Sequence, residues 1–477
     1  MFLGFVWTAF QTVGTKIISL VAQVFLAWLL VPEDFGKISI ATSITGIIFM
    51  IQNFGLSDVL VSRGKMFDKI YDLTKSISAL TAIVCFLIFC IVGFVAGAVY
   101  DDSVIKNLIL LFSIVIPFNT MSVVSDAKLR IDLRFKELSI VRVCEFFLSQ
   151  ITIILFVLLD FGVYSFVLGP ILSSIIRYFW LVKLAHISHS FKPTFHHWTY
   201  LFSNSFYGFV HSVCQTIIRQ SDYLILALFV SQTEVGIYFM AYSLSVQVIG
   251  VLVGSLSPVL FPTLMKIPLQ EKDRIKSVLL KITGVFAMLG MPFAFWQASV
   301  VKPLILIFFE EKWYDTILLV QILSIGIGFN VVSALWAPAL RIQSLFKVQM
   351  KFSIISMIVF IVLITPLSYW FSSIGLAIAV SVYYMILSPV LLYFSFRKFD
   401  VSLIQVYTSV LKYFVMGAMV FGTLYYLNEI FNSTLMVQLI VLGFAAPSLY
   451  FFFLWRFDKN FDNVLKELTL LRPKNEK

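Results

Sequence analysis

The sequence predicts an all-α polytopic membrane protein with about fourteen transmembrane helices, arranged as two parallel-repeat six-helix lobes plus two C-terminal helices. Three observations predict it. Sixty per cent of the residues are hydrophobic and 13% charged, with a mean hydropathy of +0.97, too little polar surface for a water-soluble fold. The apolar residues come in blocks of about 20 to 25, the length a helix rising about 1.5 Å per residue needs to cross a hydrocarbon core of about 30 Å. The basic residues between the blocks alternate, rich and poor, from one turn to the next.

The first block, 7–30, has no basic segment before it and exceeds the length of a signal-peptide core, so it reads as a retained helix. Helices two and three, 38–61 and 76–99, enclose Arg63, Lys65, Lys69 and Lys75. Helices four and five, 104–125 and 139–159, enclose Lys128, Arg130, Arg134 and Lys136. Lys183 and Lys192 lie between or at the ends of helices six and seven, 162–185 and 201–230. Lys266, Lys272, Arg274 and Lys276 separate 234–261 from 277–301. Arg341, Lys347 and Lys351 separate 316–338 from 352–371, and Arg397 and Lys398 separate 374–396 from 408–428. The last helix, 434–456, leads into a tail that carries six basic residues from Arg456 onward. The opposite turns hold only Lys37, Lys106, Lys302 and Lys312, so the bias is 25 to 4. Basic loops stay on the cytoplasmic side, which puts both termini in the cytoplasm. Omitting one helix would invert every later loop and spoil the alternation.

Sliding the sequence along itself by 200 positions gives 12 identities over residues 11–60, among them Leu26-Ala27 on Leu226-Ala227, Gly36 on Gly236, Ser43 on Ser243 and Leu56-Ser57 on Leu256-Ser257. Leu129-Arg130-Ile131 with Phe135-Lys136 recurs as Leu340-Arg341-Ile342 with Phe346-Lys347. Six helices separate equivalent positions, so the halves enter the membrane the same way up, as in transporters whose two bundles rock about a central cavity. The expected division is an N-terminal lobe over 1–200, a second over 201–400, two extra helices over 401–457 and a cytoplasmic tail over 458–477. That tail is either solvated or a short surface helix.

Six basic residues fall inside the helix boundaries: Lys16, Arg142, Arg177, Arg219, Lys281 and Lys412. A lipid-facing cation near mid-membrane costs about 2.5–3.5 kcal/mol on insertion scales, so the deep ones, Lys16 and Arg219, are expected to face an interior cavity and bind an anion. Arg177 lies about two thirds of the way along the sixth helix. Arg142, Lys281 and Lys412 lie near cytoplasmic ends, where snorkelling competes with cavity lining. Asp58, Glu145 and Asp222 are the candidate carboxylates. Asp222 follows Arg219 by three and Glu145 follows Arg142 by three, so each forms either a local ion pair or a substrate or ion-coupling site. Lys16 has no such neighbour. Gln11, Gln23, Gln215, Gln220 and Gln247 are candidates for polar cavity walls.

The net charge of +10 has no soluble basic domain to carry nucleic acid. No phosphate-binding loop, dinucleotide fingerprint or hydrolase motif occurs, and no outward loop is long enough to hold a catalytic module, so no enzyme is expected. His186, His189, His196 and His197 share one loop without cysteine or carboxylate partners, so neither a metal nor a cofactor is expected. Cys85, Cys90, Cys144 and Cys214 lack redox spacing and read as small core residues.

The run Leu29-Leu30-Val31-Pro32-Glu33-Asp34-Phe35-Gly36, with Asn53-Phe54-Gly55-Leu56-Ser57 and Val61-Ser62-Arg63, resembles the first hairpin of the polysaccharide exporter family, the Wzx-type O-antigen flippases and their colanic acid and teichuronic acid relatives. Asp222, Val235-Gly236-Ile237-Tyr238, Leu260-Phe261-Pro262 and Lys312-Trp313 extend the likeness over nearly the whole chain. The resemblance implies membership of the MOP superfamily, with the MurJ-type lipid II flippases and the MATE drug antiporters. It implies two six-helix lobes about a cavity in a bacterial inner membrane. The implied activity is translocation of an undecaprenyl-diphosphate-linked oligosaccharide, coupled to H+ or Na+ and serving lipopolysaccharide, capsule or exopolysaccharide synthesis. The candidate partners it implies are that lipid-linked sugar, the bilayer, a polysaccharide polymerase and chain-length machinery. Asp58 departs from the pattern, since its repeat partner is Pro258, and no ion site is carried over to it. The alternative is a MATE-like drug antiporter, which the basic sign of the deep charges disfavours.

Overall fold

A computed structural model describes residues 2–53, 60, 67–186, 206–265, 271–431 and 433–457, and every regular element among them is helical. Among the described residues, ten helical stretches are long and apolar enough to cross a membrane, from Phe10–Leu29 to Leu435–Arg456. One of them, Phe346–Phe399, contains non-helical backbone at Phe371 and Ser372, at the junction expected between the eleventh and twelfth spans. Helices near the second, seventh and eighth expected spans form too, but are not among those ten. The seventh is interrupted by polar residues: His211, Gln215, Arg219, Gln220 and Asp222 fall within 21 positions.

The chain forms two compact units, Met1–Gln247 with Ser344–Ala379, and Val248–Gln343 with Val380–Lys477. The first contains α1 (Phe2–Leu29), α2 (Pro32–Asn53), α3 (Phe67–Val99), α4 (Ser103–Phe112), α5 (Val115–Ile131), α6 (Phe135–Leu158), α7 (Ser165–Ala185), α8 (Phe206–Leu226) and the start of α9 (Gln232–Met265). On α3, Leu80, Val84, Leu87, Ile91 and Phe94 are exposed, while Leu73, Ile77, Phe89 and Ala96 are buried. An exposed apolar stripe at helical spacing opposite a buried one fits a helix solvated by lipid on its outer side.

Close packing sets the positions of the helices that matter here. The first turns of α2 and α9 cross so tightly that a Cβ on Gly36 would lie 1.9 Å from the Gln232 carbonyl oxygen. One on Gly236 would lie 1.8 Å from that of Pro32. Gly169 of α7 lies against Ser149 and Ile153 of α6, where an added Cβ would meet them at 2.8 and 2.6 Å. At one end of the unit Asp102 caps α4 through the Val104 and Ile105 amides and accepts from Gln232 Nε2 at 2.9 Å. Glu234, in the first turn of α9, accepts from both the amide and the hydroxyl of Ser373, just past the bend at Ser372.

The second unit is built on α10 (Lys272–Phe308), α11 (Thr316–Ser333), α12 (Trp336–Ile342), the later part of α13 (Phe346–Phe396), α14 (Leu403–Ile430), α15 (Leu435–Ile440) and α16 (Ala446–Phe457). A π-helical turn, Val441–Ala445, joins α15 to α16, and the indole of Trp296 donates to the Gly443 carbonyl within it at 3.2 Å. Such turns release a carbonyl from the regular ladder, and the indole partner satisfies it. Cys85 and Cys214 are buried, as core residues should be, whereas Cys144 is exposed on α6.

Candidate functional site

A cavity of about 480 Å³ opens among α1, α5, α6 and α7 in the first unit. Ten of its thirteen lining residues are polar: Gln11, Thr15, Lys16 and Ser19 from α1, Asn119 from α5, Arg142, Glu145 and Ser149 from α6, and Ser173 and Ser174 from α7, with Val115, Phe146 and Pro170 completing the wall. Two contacts bring the walls together. Gly14 faces Val143, which brings α1 against α6, and the Gly169 contact lets α7 approach α6 closely enough for Arg177 to reach Glu145.

Charge at the site is organised as one pair, one carboxylate shared by two arginines, and a single cation. Arg177 donates from one Nη to Glu145 Oε1 at 3.3 Å and to Asn119 Oδ1 at 3.4 Å, while its Nε is buried with no partner among the described residues. Arg142 donates to Asp126 Oδ2 at 2.7 Å, and the other Asp126 oxygen accepts from Arg130, one turn further along α5. Lys16 has no ion pair or hydrogen bond among the described residues. Lys16, Arg142 and Arg177, with Arg130 one turn beyond, thus outnumber Asp126 and Glu145. The surplus of positive charge suits an anionic ligand.

Of the two alternatives that the spacing left open, the local ion pairs do not form among the described residues. Arg142 and Glu145, three apart on α6, turn to Asp126 and Arg177 on neighbouring helices. Likewise Asp222 does not pair with Arg219: it is 1% exposed and accepts from the Tyr238 hydroxyl at 3.1 Å and the Tyr223 amide at 2.9 Å. A neighbouring helix can present a guanidinium end-on, whereas a pair along one helix must bend two side chains towards each other.

Of the sequence candidates, Lys16, Arg142, Glu145 and Gln11 line the cavity, and Arg177 reaches it through Glu145 and Asn119. Arg219 is exposed on α8 and does not line it. Gln23 forms a separate buried cluster, donating to Met240 Sδ at 2.8 Å and accepting from Gln247 Nε2 at 2.7 Å and Ser243 Oγ at 3.3 Å. Gln220 packs on Gly46, and Gln215 is half-buried on α8. Asp58 lies outside the described residues, as do His189, His196 and His197. Sequence reasoning missed Asp126 and Asn119. Asp126 falls just past the expected helix end at 125, four residues before Arg130, and that i, i+4 spacing to a basic residue was its one signal.

The profile of a family described as polysaccharide biosynthesis protein matches residues 25–318. The succinoglycan biosynthesis transport protein ExoT of Rhizobium meliloti (strain 1021) is 21% identical over 339 residues, 70% of this chain and 68% of that protein. An uncharacterized membrane protein in the cps region of Klebsiella pneumoniae is 21% identical over 398 residues, 81% and 82% of the two chains. Among solved structures, the lipid II flippase MurJ in an inward closed conformation superimposes with a TM-score of 0.75 at 15% identity, covering 94% of this chain and 99% of that one. An inward-facing multidrug resistance MATE transporter of the MOP superfamily gives 0.62 at 10% identity, over 81% and 94%.

Proposed function

The chain belongs to the polysaccharide biosynthesis protein family, and from that membership we propose that it is a flippase for a lipid-linked oligosaccharide, with no covalent chemistry of its own. The substrate class is an oligosaccharide joined to a polyprenyl carrier, undecaprenol, through a diphosphate, carried across the bacterial inner membrane by alternating access. The observation that carries this reading is the cavity's uncompensated cation: Lys16, without an ion pair among the described residues, lining the same cavity as Arg142. A diphosphate is a compact anion that must leave the lipid surface, and a buried ammonium compensates it. The hydroxyls and amides of Gln11, Thr15, Ser149 and Ser173 offer partners to sugar, and the prenyl tail stays in lipid.

The parallel repeat of six and six helices, with two beyond it, belongs to the same proposal. It is supported by the crossing of α2 and α9, where position 36 meets 232 and position 236 meets 32, each contact the counterpart of the other at an offset of 200 residues. Coupling to H+ or Na+ belongs to it too, with the carboxylates as candidate carriers, as does service to a polymerase and chain-length machinery.

Replacing Lys16 with Ala removes a charge-assisted contact of about 1.5–3 kcal/mol, so substrate affinity is expected to fall roughly 10- to 100-fold. In cells this reads as loss of surface polysaccharide at unchanged protein level. Normal polymer in the Lys16→Ala strain would sink the cationic-cavity mechanism. The likeness to a MATE transporter keeps drug efflux as the second reading. A change in drug susceptibility on expression, with polysaccharide unaffected, would favour it.

A further inference from the structure

The arginines at the cavity are already held by carboxylates, and the two carboxylates are not held alike. Asp126 keeps two guanidiniums, Arg142 at 2.7 Å and Arg130 on its own helix. Among the described residues Glu145 pairs with Arg177 alone, at 3.3 Å, and it lies on the cavity wall. The charged groups around Glu145 are Lys16 from α1, Asp126 from α5, Arg177 from α7 and Arg142 from its own helix.

An entering diphosphate competes for the same guanidiniums. If it takes Arg142, Asp126 still has Arg130. If it takes Arg177, Glu145 loses its ion-pair partner among the described residues, and a carboxylate only 22% exposed and left without a cation is neutralised by a proton rather than left charged. Resting on the flippase reading, we propose that Glu145 is the counter-anion of the empty cavity, displaced from Arg177 by the substrate's diphosphate, and that it takes up a proton from solution as the substrate binds. The proton adds to one carboxylate oxygen, with no bond broken in the substrate. Glu145 is therefore a positioning residue for Arg177 and the site where substrate and proton binding are linked.

The test is isothermal titration calorimetry of the full chain in detergent with a short citronellyl-diphosphate-linked N-acetylglucosamine, a diester whose own protons do not titrate near neutral pH. Running it in PIPES and in Tris, which differ in ionisation enthalpy, counts protons. The wild type is expected to take up as much as about one proton per ligand, and its affinity to weaken as pH rises, by up to about tenfold per unit. Glu145→Gln is expected to bind with no uptake and with a flat pH dependence. Binding by the wild type without proton uptake, or the same uptake in Glu145→Gln, overturns the proposal while leaving the flippase reading intact. Should Glu145→Gln fail to fold, the wild-type count and pH profile decide alone. No binding by the wild type overturns both readings of the cavity.

Discussion

Asp126 shows how much a single side chain organises here. Its carboxylate is 7% exposed and is shared by Arg130 and Arg142, which are both about one-third exposed. Replacing it with Ala leaves two guanidiniums facing each other with no anion between them. Removing one partner of a buried pair costs about 3–5 kcal/mol, and the exposure of these arginines lowers the expectation to about 1–3 kcal/mol. A melt of the detergent-solubilised protein should shift down accordingly. Adding Arg142→Ala to Asp126→Ala should recover part of the loss, and strict additivity of the two single losses would show that they do not interact. Lys16, Arg142, Arg177 and Glu145 were legible in the sequence because each is a charge inside an apolar block. Asp126 was not, because it sits in the final turns of its helix beside a basic loop, where charge needs no special explanation.

At the level of elements, glycines serve two different physical ends. Gly36 and Gly236 permit the crossing of α2 and α9, where the obstacle to a side chain is backbone and cannot rotate away. Gly36→Ala and Gly236→Ala are each expected to cost about 1–3 kcal/mol or more, measured as lower yield and a lower melting temperature. Gly162, with φ of +54° and open space around it, should suffer in Gly162→Ala only the left-handed penalty of about 1–2 kcal/mol. A smaller loss at the crossing glycines than at Gly162 would contradict the crossing. The spacing of Gly36 and Gly236 by 200 residues was readable in sequence, but that they touch each other's neighbours was not: identity of position says nothing of proximity. The bend of α13 at Phe371 and Ser372, by contrast, falls where the sequence put a boundary between two apolar runs.

For the whole molecule, the charge bias of 25 to 4 makes a topological forecast. In a chain whose four cysteines have been replaced, Lys106→Cys and Lys312→Cys should react with a membrane-impermeant maleimide in intact cells. Lys136→Cys and Arg397→Cys should react only after permeabilisation. Labelling of Lys136→Cys in intact cells would invert the assigned orientation.

The sequence by itself determined the solvent and the helical class of this protein, because hydropathy is a sum over residues and needs no partners. It also located the charges that had to be explained, since a cation in an apolar block is costly wherever the block packs. Only the tertiary structure decided which carboxylate holds which arginine. Spacing along one helix offered Glu145 to Arg142, but the approach of α7 at Gly169 and of α5 at Asp126 presented better-aligned partners from the side. That exchange of partners left Lys16 without an ion pair among the described residues and Glu145 with a single one.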